Sequence, residues 1–154
     1  MNKKTVSIIL LVIFIITMIV TVANVFLQEN NTQENQNGTL TISNRTVHYE
    51  KAGKCLEVID GNTIQVYGVG RIQLTQVKTP NNEPGLSNAK NFVSDKCLGK
   101  TVYLDIDDEC PKDRYDRTLA IVYTDTADIN KELIDNGLAN ISYFAPSEFE
   151  KGKI

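Results

Sequence analysis

Five short segments with alternating apolar and polar residues constrain the fold of this chain most strongly. They lie between residues 55 and 124 and read CLEVID, TIQVYGVG, RIQLTQV, TVYLDIDD and TLAIVYT. A period of two places one face of a β-strand in a core, and β-branched side chains favour strands. Glycines and an Asp-Gly turn separate the first three segments. The pattern therefore predicts five strands.

Two helical segments accompany these strands. TPNNEPG interrupts regular structure, and we expect Ser87 to cap a helix over the following NAKNFVSDKCL. A second helix, in DINKELIDNGLA, is expected to begin after the capping residue Asp128 and to end at Gly137. The order of elements predicts an α+β fold that is mainly β, with an OB-fold five-stranded barrel and packed helices.

An apolar run without charged residues extends from Val6 to Phe26. A helix of this length can cross the ~30 Å hydrocarbon layer of a bilayer. Lys3 and Lys4 precede the run and favour an amino end inside the cell, with the remainder outside. We therefore expect residues 1–27 to form an N-terminal transmembrane helix that anchors the chain. The alternative is a signal segment, whose cleavage would give a secreted protein.

The residues that follow are expected to form a spacer and then a domain. Residues 28–46, QENNTQENQNGTLTISNRT, are polar and rich in Asn and Gln, which predicts a flexible stalk. The predicted domain, residues 47–154, has 13 basic and 17 acidic side chains and a net charge of −4. A general nucleic-acid binder would be basic. Any site for a polyanion must therefore be a local patch.

The cysteines and the single histidine suggest little chemistry of their own. Outside the cell, Cys55, Cys97 and Cys110 would allow one disulfide and one free thiol, with the pairing left open. No Cys or His spacing is typical of a zinc site. His48 has no base partner in the sequence, and we expect an ordinary surface residue there rather than a member of a triad or metal cluster.

Four blocks resemble the staphylococcal-nuclease (thermonuclease) family, namely VIDGNTIQV, VKTP, DRYDRTLAIVY and INKELIDNGLANISY. The resemblance covers Cys55 to Phe144 and implies an OB barrel with helices packed on it. It also implies nuclease chemistry in which two aspartates and a threonine carbonyl hold calcium, a glutamate activates water, and two arginines hold the phosphate. A hard cation prefers oxygen ligands, and fixed positive charge stabilises the transition state.

Most of these family positions are substituted in this chain. The second aspartate of the family's DGDT is Asn62, and the aspartate before TP is Lys78. Thr79 remains, but it contributes only a backbone oxygen. The arginine seven residues before the TP proline is Gln73, and the glutamate after TP is Asn81. Two neutral amides and an ammonium group are poor ligands for calcium, so we expect no metal.

Besides Thr79, two further family positions are retained. Arg117 in DRYDR matches the second arginine, and Tyr143 matches a tyrosine that packs against the nucleotide. The substitutions add four positive charge units and remove one, so the pocket is more positive than the family's metal-free site. These matches predict a pseudo-nuclease in which Lys78, Arg117 and Arg71 bind phosphate or nucleic acid without metal and without cutting it.

Three alternatives remain open from the sequence. The chain could be a weak calcium-dependent nuclease, in which Arg71 replaces the lost arginine and Glu83 replaces the base. It could instead be a cell-surface protein-interaction module with an unidentified partner, in which the old pocket has no role. Finally, Lys78 could pair with Asp60 or Asp116, which would leave the pocket without a ligand.

Overall fold

A computed structural model of the 154-residue chain describes residue 2, residues 11–20 and residues 37–152. Residues 11–20 are helical (α1), and their large apolar side chains are exposed. Among the described residues, no helix has both the length and the apolar character needed to cross a bilayer. The rest of the anchor expected over residues 1–27 lies outside the described residues, as do residues 28–36 of the expected stalk.

The described residues 37–152 form nine strands and two helices. In chain order these are β1 (Gly38–Ile42), β2 (Arg45–Tyr49), β3 (Lys51–Asp60), β4 (Thr63–Val66), β5 (Gly70–Leu74), β6 (Val77–Lys78), α2 (Gly85–Cys97), β7 (Thr101–Ile106), β8 (Thr118–Tyr123), α3 (Ile129–Asp135) and β9 (Asn140–Ile141).

Five of these strands close into a barrel in the order β3-β4-β5-β8-β7. The pairing of β5 with β8 is parallel, and the other described pairings within the barrel are antiparallel. Apolar residues of the alternating segments, such as Ile64, Ile72 and Leu104, are fully buried. The predicted five-stranded barrel with packed helices is therefore confirmed as an α+β fold of the OB type.

Both predicted helices are present, with one boundary shifted. Helix α2 begins at Gly85, earlier than the expected start after Ser87. The physical reason is that the Glu83 carboxylate accepts hydrogen bonds from the Ser87 hydroxyl at 2.6 Å and from its N–H at 3.3 Å. Helix α3 follows the prediction, because Asp128 accepts a hydrogen bond from the Lys131 N–H at 2.9 Å.

A hairpin replaces the carboxyl end of the expected stalk. β1 and β2 pair in antiparallel register around a two-residue turn at Ser43 and Asn44, both of which have positive φ. Ile42 and Val47 are buried in a small cluster that includes Tyr123 of the barrel. Residues 38–46 are thus a folded extension of the barrel rather than a spacer. The residues between these two apolar positions are polar, so the sequence pattern did not predict the two strands.

A second small sheet joins the carboxyl-terminal segment to the region after β5. Val77 pairs with Ile141 and Lys78 pairs with Asn140 across β6 and β9. The fully buried Gln76 extends this connection, because its side-chain amide donates a hydrogen bond to the Phe149 carbonyl at 2.8 Å. These contacts fix the residues after β9 beside the strand that carries Lys78.

Candidate functional site

An open cleft of about 810 Å³ is lined by residues from the β3–β4 turn, β5, β6, the β7–β8 loop and the segment after β9. Four of its lining side chains are basic and one is acidic: Lys78, Lys112, Arg114, Arg117 and Asp113. The domain carries a negative net charge, so this cleft is a local concentration of positive charge within it. It has the sign that a phosphate group requires.

Arg117 is held in place by the β7–β8 loop. Its Nε and Nη2 lie 2.7 and 2.6 Å from Oδ2 of Asp113, and its Nη1 donates a hydrogen bond to the Thr63 hydroxyl at 3.2 Å. Asp113 Oδ1 also accepts from the N–H groups of Tyr115 and Arg117, at 2.8 and 3.0 Å. One carboxylate therefore fixes both the loop and the guanidinium, and some guanidinium N–H groups remain for a ligand.

The charge state of Asp113 follows from these contacts. Burial by itself would raise the pKa of Asp113, but the hydrogen bonds from Arg117 and Tyr115 outweigh burial and hold the pKa below its usual range. Asp113 is therefore ionised at neutral pH and offsets the charge of Arg117. The net positive charge of the cleft comes from Lys78 and Arg114, because Lys112 pairs with Asp116.

Gln73 belongs to the same hydrogen-bond network. It lies directly across from Thr63 in the β4–β5 register, and the Thr63 hydroxyl donates to its Oε1 at 3.2 Å. Its Nε2 donates to the Leu74 carbonyl at 3.3 Å. The parallel pairing of β5 with β8 brings Arg117 to this point, since Ile72 pairs with Thr118. Gln73 thus occupies this position as a neutral amide and adds no positive charge to the cleft.

Asn62 and Lys78 come together at the other side of the cleft. The Asn62 N–H donates to Asp60 Oδ1 at 2.9 Å, and its side-chain Nδ2 donates to the Val77 carbonyl at 2.9 Å. The Asn62 amide is therefore tied to β6, on which Lys78 is exposed to solvent. Both residues line the cleft, one with an amide and the other with an ammonium group.

Gly61 allows this turn to lie close to its neighbours. A Cβ at this position would lie 2.6 Å from Ala89 Cβ and 2.9 Å from Thr79 Cγ2. These separations are shorter than van der Waals contact, so a larger residue would push the turn away from α2. The glycine of DGNT therefore helps to set the position of Asn62.

Lys78 does not form either of the ion pairs that the sequence left open. Asp60 is engaged by the Asn62 N–H, and Asp116 pairs with Lys112 at 2.5 Å. None of the ion pairs found in the described part of the chain involves Lys78. Its charge is thus directed to solvent at the cleft.

Aromatic side chains lie at the edge of the cleft. Tyr115 is 63% exposed, and the Cζ atoms of Arg114 and Arg117 lie 4.8 and 5.4 Å from the centre of its ring. Phe144 also lines the cleft and is 45% exposed. An exposed ring next to basic groups can stack against a base while the cations contact its phosphate.

The sequence of this chain is similar to known nucleases. Residues 68–153 match the family model described as "Staphylococcal nuclease homologue". The chain belongs to the staphylococcal nuclease family. It is 35% identical over 101 residues to the thermonuclease of Staphylococcus intermedius, an alignment that covers 59% of this chain and 60% of the relative. It is 32% identical over 108 residues to the thermonuclease of Staphylococcus hyicus, with 64% and 63% covered. The alignments thus span about 60% of each relative's length.

The family resemblance predicted from sequence blocks is confirmed by these matches, and the structure locates its site positions. Four of them line the cleft, namely Asn62, Gln73, Lys78 and Arg117. The family positions Thr79, Asn81 and Tyr143 are not among its lining residues, and neither is Arg71, which was considered as a substitute for the lost arginine. Tyr143 is next to the lining residue Phe144, and Asn81 is exposed in the loop before α2.

The two substitutes considered for a residual nuclease are not placed in the cleft. Arg71 is exposed on β5 and is not a lining residue, although it has the same strand parity as Gln73. Glu83 accepts hydrogen bonds from Ser87 at the start of α2 and is likewise not a lining residue. Both side chains thus lie outside the set of residues that line the cleft.

Several cleft residues were missed by the sequence analysis. Thr63 joins Arg117 to Gln73 through its hydroxyl, and Asp113 orders the β7–β8 loop. Lys112 and Arg114 add positive charge to the lining. The signal for Asp113 was available in DRYDR, since an aspartate four residues before an arginine in a tight loop can accept its N–H groups. The role of Thr63 could not be predicted in this way, because it depends on the register between paired strands.

The residues of the cleft do not fit calcium. Calcium prefers six to eight oxygen ligands and usually takes several carboxylates. Asp113 is the single carboxylate among the lining residues that the structure describes, and Arg117 occupies it. Asn62 donates its amide hydrogen to Val77, and Lys78 adds a cation where an anion would be needed. The donor set is therefore suited to an anion rather than to a divalent cation.

The three cysteines are free, and one of them lies in the cleft lining. Cys55 and Cys97 are buried in the barrel core. Burial, followed by the nearby Cys55, raises the pKa of Cys97 to about 12, so this thiol stays protonated. Cys110 is partly exposed beside Lys112, whose carbonyl its Sγ contacts at 3.6 Å.

Proposed function

We propose that the cleft binds the phosphate groups of nucleic acid without a metal ion and without cutting the chain. The observation that carries this proposal is the charge of the lining, in which Arg117 pairs with Asp113 and Lys112 pairs with Asp116, while Lys78 and Arg114 have no ion pair among the described residues. Lysine and arginine bind phosphate through charge-assisted hydrogen bonds. The relatives named thermonucleases support a nucleic acid as the source of that phosphate.

Each basic group has a distinct part in this binding. Lys78 offers an ammonium group with three donors and no ion-pair partner among the described residues. Arg117 is pre-oriented by Asp113 and retains free N–H groups. Tyr115, with Arg114 over its ring, offers a surface on which an unpaired base can stack. Single-stranded nucleic acid is therefore the expected ligand class.

We do not expect efficient hydrolysis, because the general base and the first arginine of the family are missing from the cleft. Asn81 is an amide and cannot act as a general base, and loss of such a base typically costs about 10²–10⁴ in rate. Gln73 is uncharged and hydrogen-bonded to Leu74, so it does not stabilise a developing charge as an arginine does. The two losses need not multiply, but each acts against catalysis.

We also propose that the barrel domain is exported. The support is the apolar run from Val6 to Phe26 with Lys3 and Lys4 before it. This stretch would hold the domain at the outer face of a membrane, or would be removed as a signal. Amino-terminal sequencing of the mature protein from membrane and secreted fractions distinguishes the two. A mature chain that retains Met1 in the soluble cytoplasm would contradict both.

Binding to a short labelled single-stranded DNA, followed by fluorescence anisotropy in the presence of chelator, tests the ligand proposal. We expect Lys78→Ala to weaken binding about tenfold, which corresponds to about 1.4 kcal/mol. Lys90→Ala is the matched control, because Lys90 is exposed on α2 and is not a cleft residue. Equal affinity of wild type and Lys78→Ala would instead favour a protein-interaction module in which the cleft has no role.

A further inference from the structure

His48, Glu50 and Asp105 form a compact group that is separate from the cleft. His48 is exposed, as expected, but it has a partner that the sequence analysis did not find, because its Nδ1 lies 3.0 Å from Glu50 Oε1. One potential ligand atom from each of the three side chains lies within 4.8 Å of the others. None of the three residues lines the cleft.

The fold brings these three side chains together from two parts of the chain. His48 is on β2 of the hairpin, and Glu50 connects β2 to β3. The Glu50 N–H donates to the Leu104 carbonyl at 2.9 Å, which places it beside β7 and Asp105. The group therefore lies where the hairpin meets the barrel, and we call it the hairpin junction.

A neighbouring donor orients one of the two carboxylates of the hairpin junction. Glu50 Oε2 accepts a hydrogen bond from the Ile106 N–H at 2.7 Å, which leaves Oε1 directed to His48. The buried Tyr123 lies near Asp105, and burial, followed by the charges of Asp128 and Asp105, raises the pKa of the Tyr123 hydroxyl. Hydrogen-bond partners such as the Ile106 N–H fix the direction of ligand side chains at protein metal sites.

Negative charge exceeds positive charge around Asp105. Glu50, Glu148 and Asp108 are the acidic groups near Asp105, and His48 is the basic group near it. A bound cation would compensate these carboxylates better than a half-exposed imidazole can.

We propose that His48, Glu50 and Asp105 bind a divalent transition-metal ion, with zinc as the best match, at the hairpin junction. One imidazole nitrogen and two carboxylate oxygens suit zinc better than calcium or magnesium, which prefer oxygen ligands alone. Tetrahedral bonds of about 2.0–2.2 Å place ligand atoms about 3.5 Å apart, so small side-chain adjustments are required from the present separations, which are 3.0 Å for His48 and Glu50 and at most 4.8 Å within the group. The exposed His48 has room for that adjustment, and solvent would complete the coordination.

The consequence would be a metal that links the hairpin to the barrel. His48 and Glu50 precede residues 68–153, the region matched by the family model, whereas Asp105 lies within it. The hairpin otherwise contacts the barrel through a small apolar cluster that includes Ile42 and Val47. Bound zinc would add stability to this attachment, because it binds the folded arrangement in preference to separated ligands.

Calorimetric titration of the full-length chain with zinc chloride, in mild detergent and phosphate-free buffer, tests this proposal. We expect one equivalent of zinc to bind to the wild type. His48→Ala and Asp105→Asn should each weaken that binding at least tenfold. His48 has a side chain 54% exposed, so its removal should leave the fold intact. Asp95→Asn, an exposed carboxylate on α2, is the matched control and should bind as the wild type does.

Thermal unfolding adds a second readout. Zinc should raise the melting temperature of the wild type and of Asp95→Asn, and should leave that of His48→Ala unchanged. Cys110→Ser must retain the titration, because loss of binding in that variant would place the zinc on the thiol. Absence of stoichiometric binding to the wild type, or undiminished binding to His48→Ala, would overturn the proposal.

Discussion

The cleft and the hairpin junction lie on the same barrel domain and have opposite charge. The cleft has four basic side chains and one carboxylate among its lining residues, whereas the hairpin junction and its surroundings have four carboxylates and one histidine. Both regions include side chains whose positions are set by strands of the domain. The difference shows that the barrel determines where side chains meet, while the residues at each meeting point determine which ligand fits.

The two regions also differ in how their polar groups are satisfied. In the cleft, Asp113 neutralises Arg117, Thr63 contacts Gln73, and the Asn62 amide donates to Val77, so Lys78 is left without an ion-pair partner among the described residues. At the hairpin junction the excess consists of carboxylates. An anion completes the first arrangement and a cation completes the second.

The largest expected effect comes from reversing the sign of the cleft. The double variant Asn62→Asp with Lys78→Asp removes one positive charge and adds two negative ones. We expect its affinity for single-stranded DNA to fall about 100-fold, or about 2.8 kcal/mol, and calcium binding to appear. Anisotropy and a calcium titration measure the two changes. If the wild type already binds calcium as well as the variant does, the contrast between the regions is wrong.

The Asp113 carboxylate should contribute most to the stability of the cleft. Asp113→Ala leaves a partly buried guanidinium without its partner and removes two loop hydrogen bonds, so we expect a loss of about 2–3 kcal/mol in the free energy of unfolding. Lys112→Ala breaks an exposed pair and should cost below about 0.5 kcal/mol. Urea denaturation compares the two. Similar losses would show that Asp113 does not organise the loop.

The hairpin junction should make the stability of the metal-free protein depend on pH. The pKa of Asp105 is raised from its usual value to about 7, so the folded state binds this proton more tightly than the unfolded state does. Its contribution to stability is full below about pH 4 and is lost as the pH rises towards 7.

Substitution of Asp105 tests that dependence. Asp105→Asn removes the titrating charge, so we expect it to be more stable than the wild type above pH 7, by on the order of 1–2 kcal/mol. The two proteins should converge near pH 4. Denaturation in chelator at several pH values measures the difference. A variant that is less stable at every pH would contradict the assigned cause.

The smallest effect is expected at the edge of the cleft. Tyr115→Leu removes an exposed aromatic face, and we expect single-stranded DNA to bind about five times more weakly, or about 1 kcal/mol. Binding of inorganic phosphate should not change, because the ring contacts the base and not the phosphate. Competition titrations with both ligands measure this. An equal loss for phosphate would assign Tyr115 to ordering of the loop.

The barrel was predictable from the sequence because its strands alternate clearly and its turns contain glycine. Asp128 and Gly137 likewise marked the ends of α3 through local chemistry. The hairpin was missed because Ile42 and Val47 are separated by polar residues and find their apolar partners only on β8. Local pattern is informative where the partner is near in sequence, and fails where burial depends on distant strands.

The functional residues also include some that could be predicted from the sequence and some that could not. Asn62, Gln73, Lys78 and Arg117 could be predicted because family motifs fix their spacing, and the structure brings all four to the cleft. The partner of His48 was missed because Glu50 is two residues away along an extended chain, and Asp105 reaches both only through strand pairing. Such groupings depend on register, which the sequence alone did not supply.

The most direct test of the central claim is a cleavage assay on labelled single-stranded DNA and RNA with the full-length chain. Reactions in calcium and in chelator are compared, with Arg117→Lys as the control for contaminating nuclease, because it retains the charge and loses the guanidinium fork. The cleft described above predicts no cutting beyond that control in either buffer, together with binding in chelator. Calcium-dependent cutting by the wild type that disappears in Arg117→Lys would contradict it.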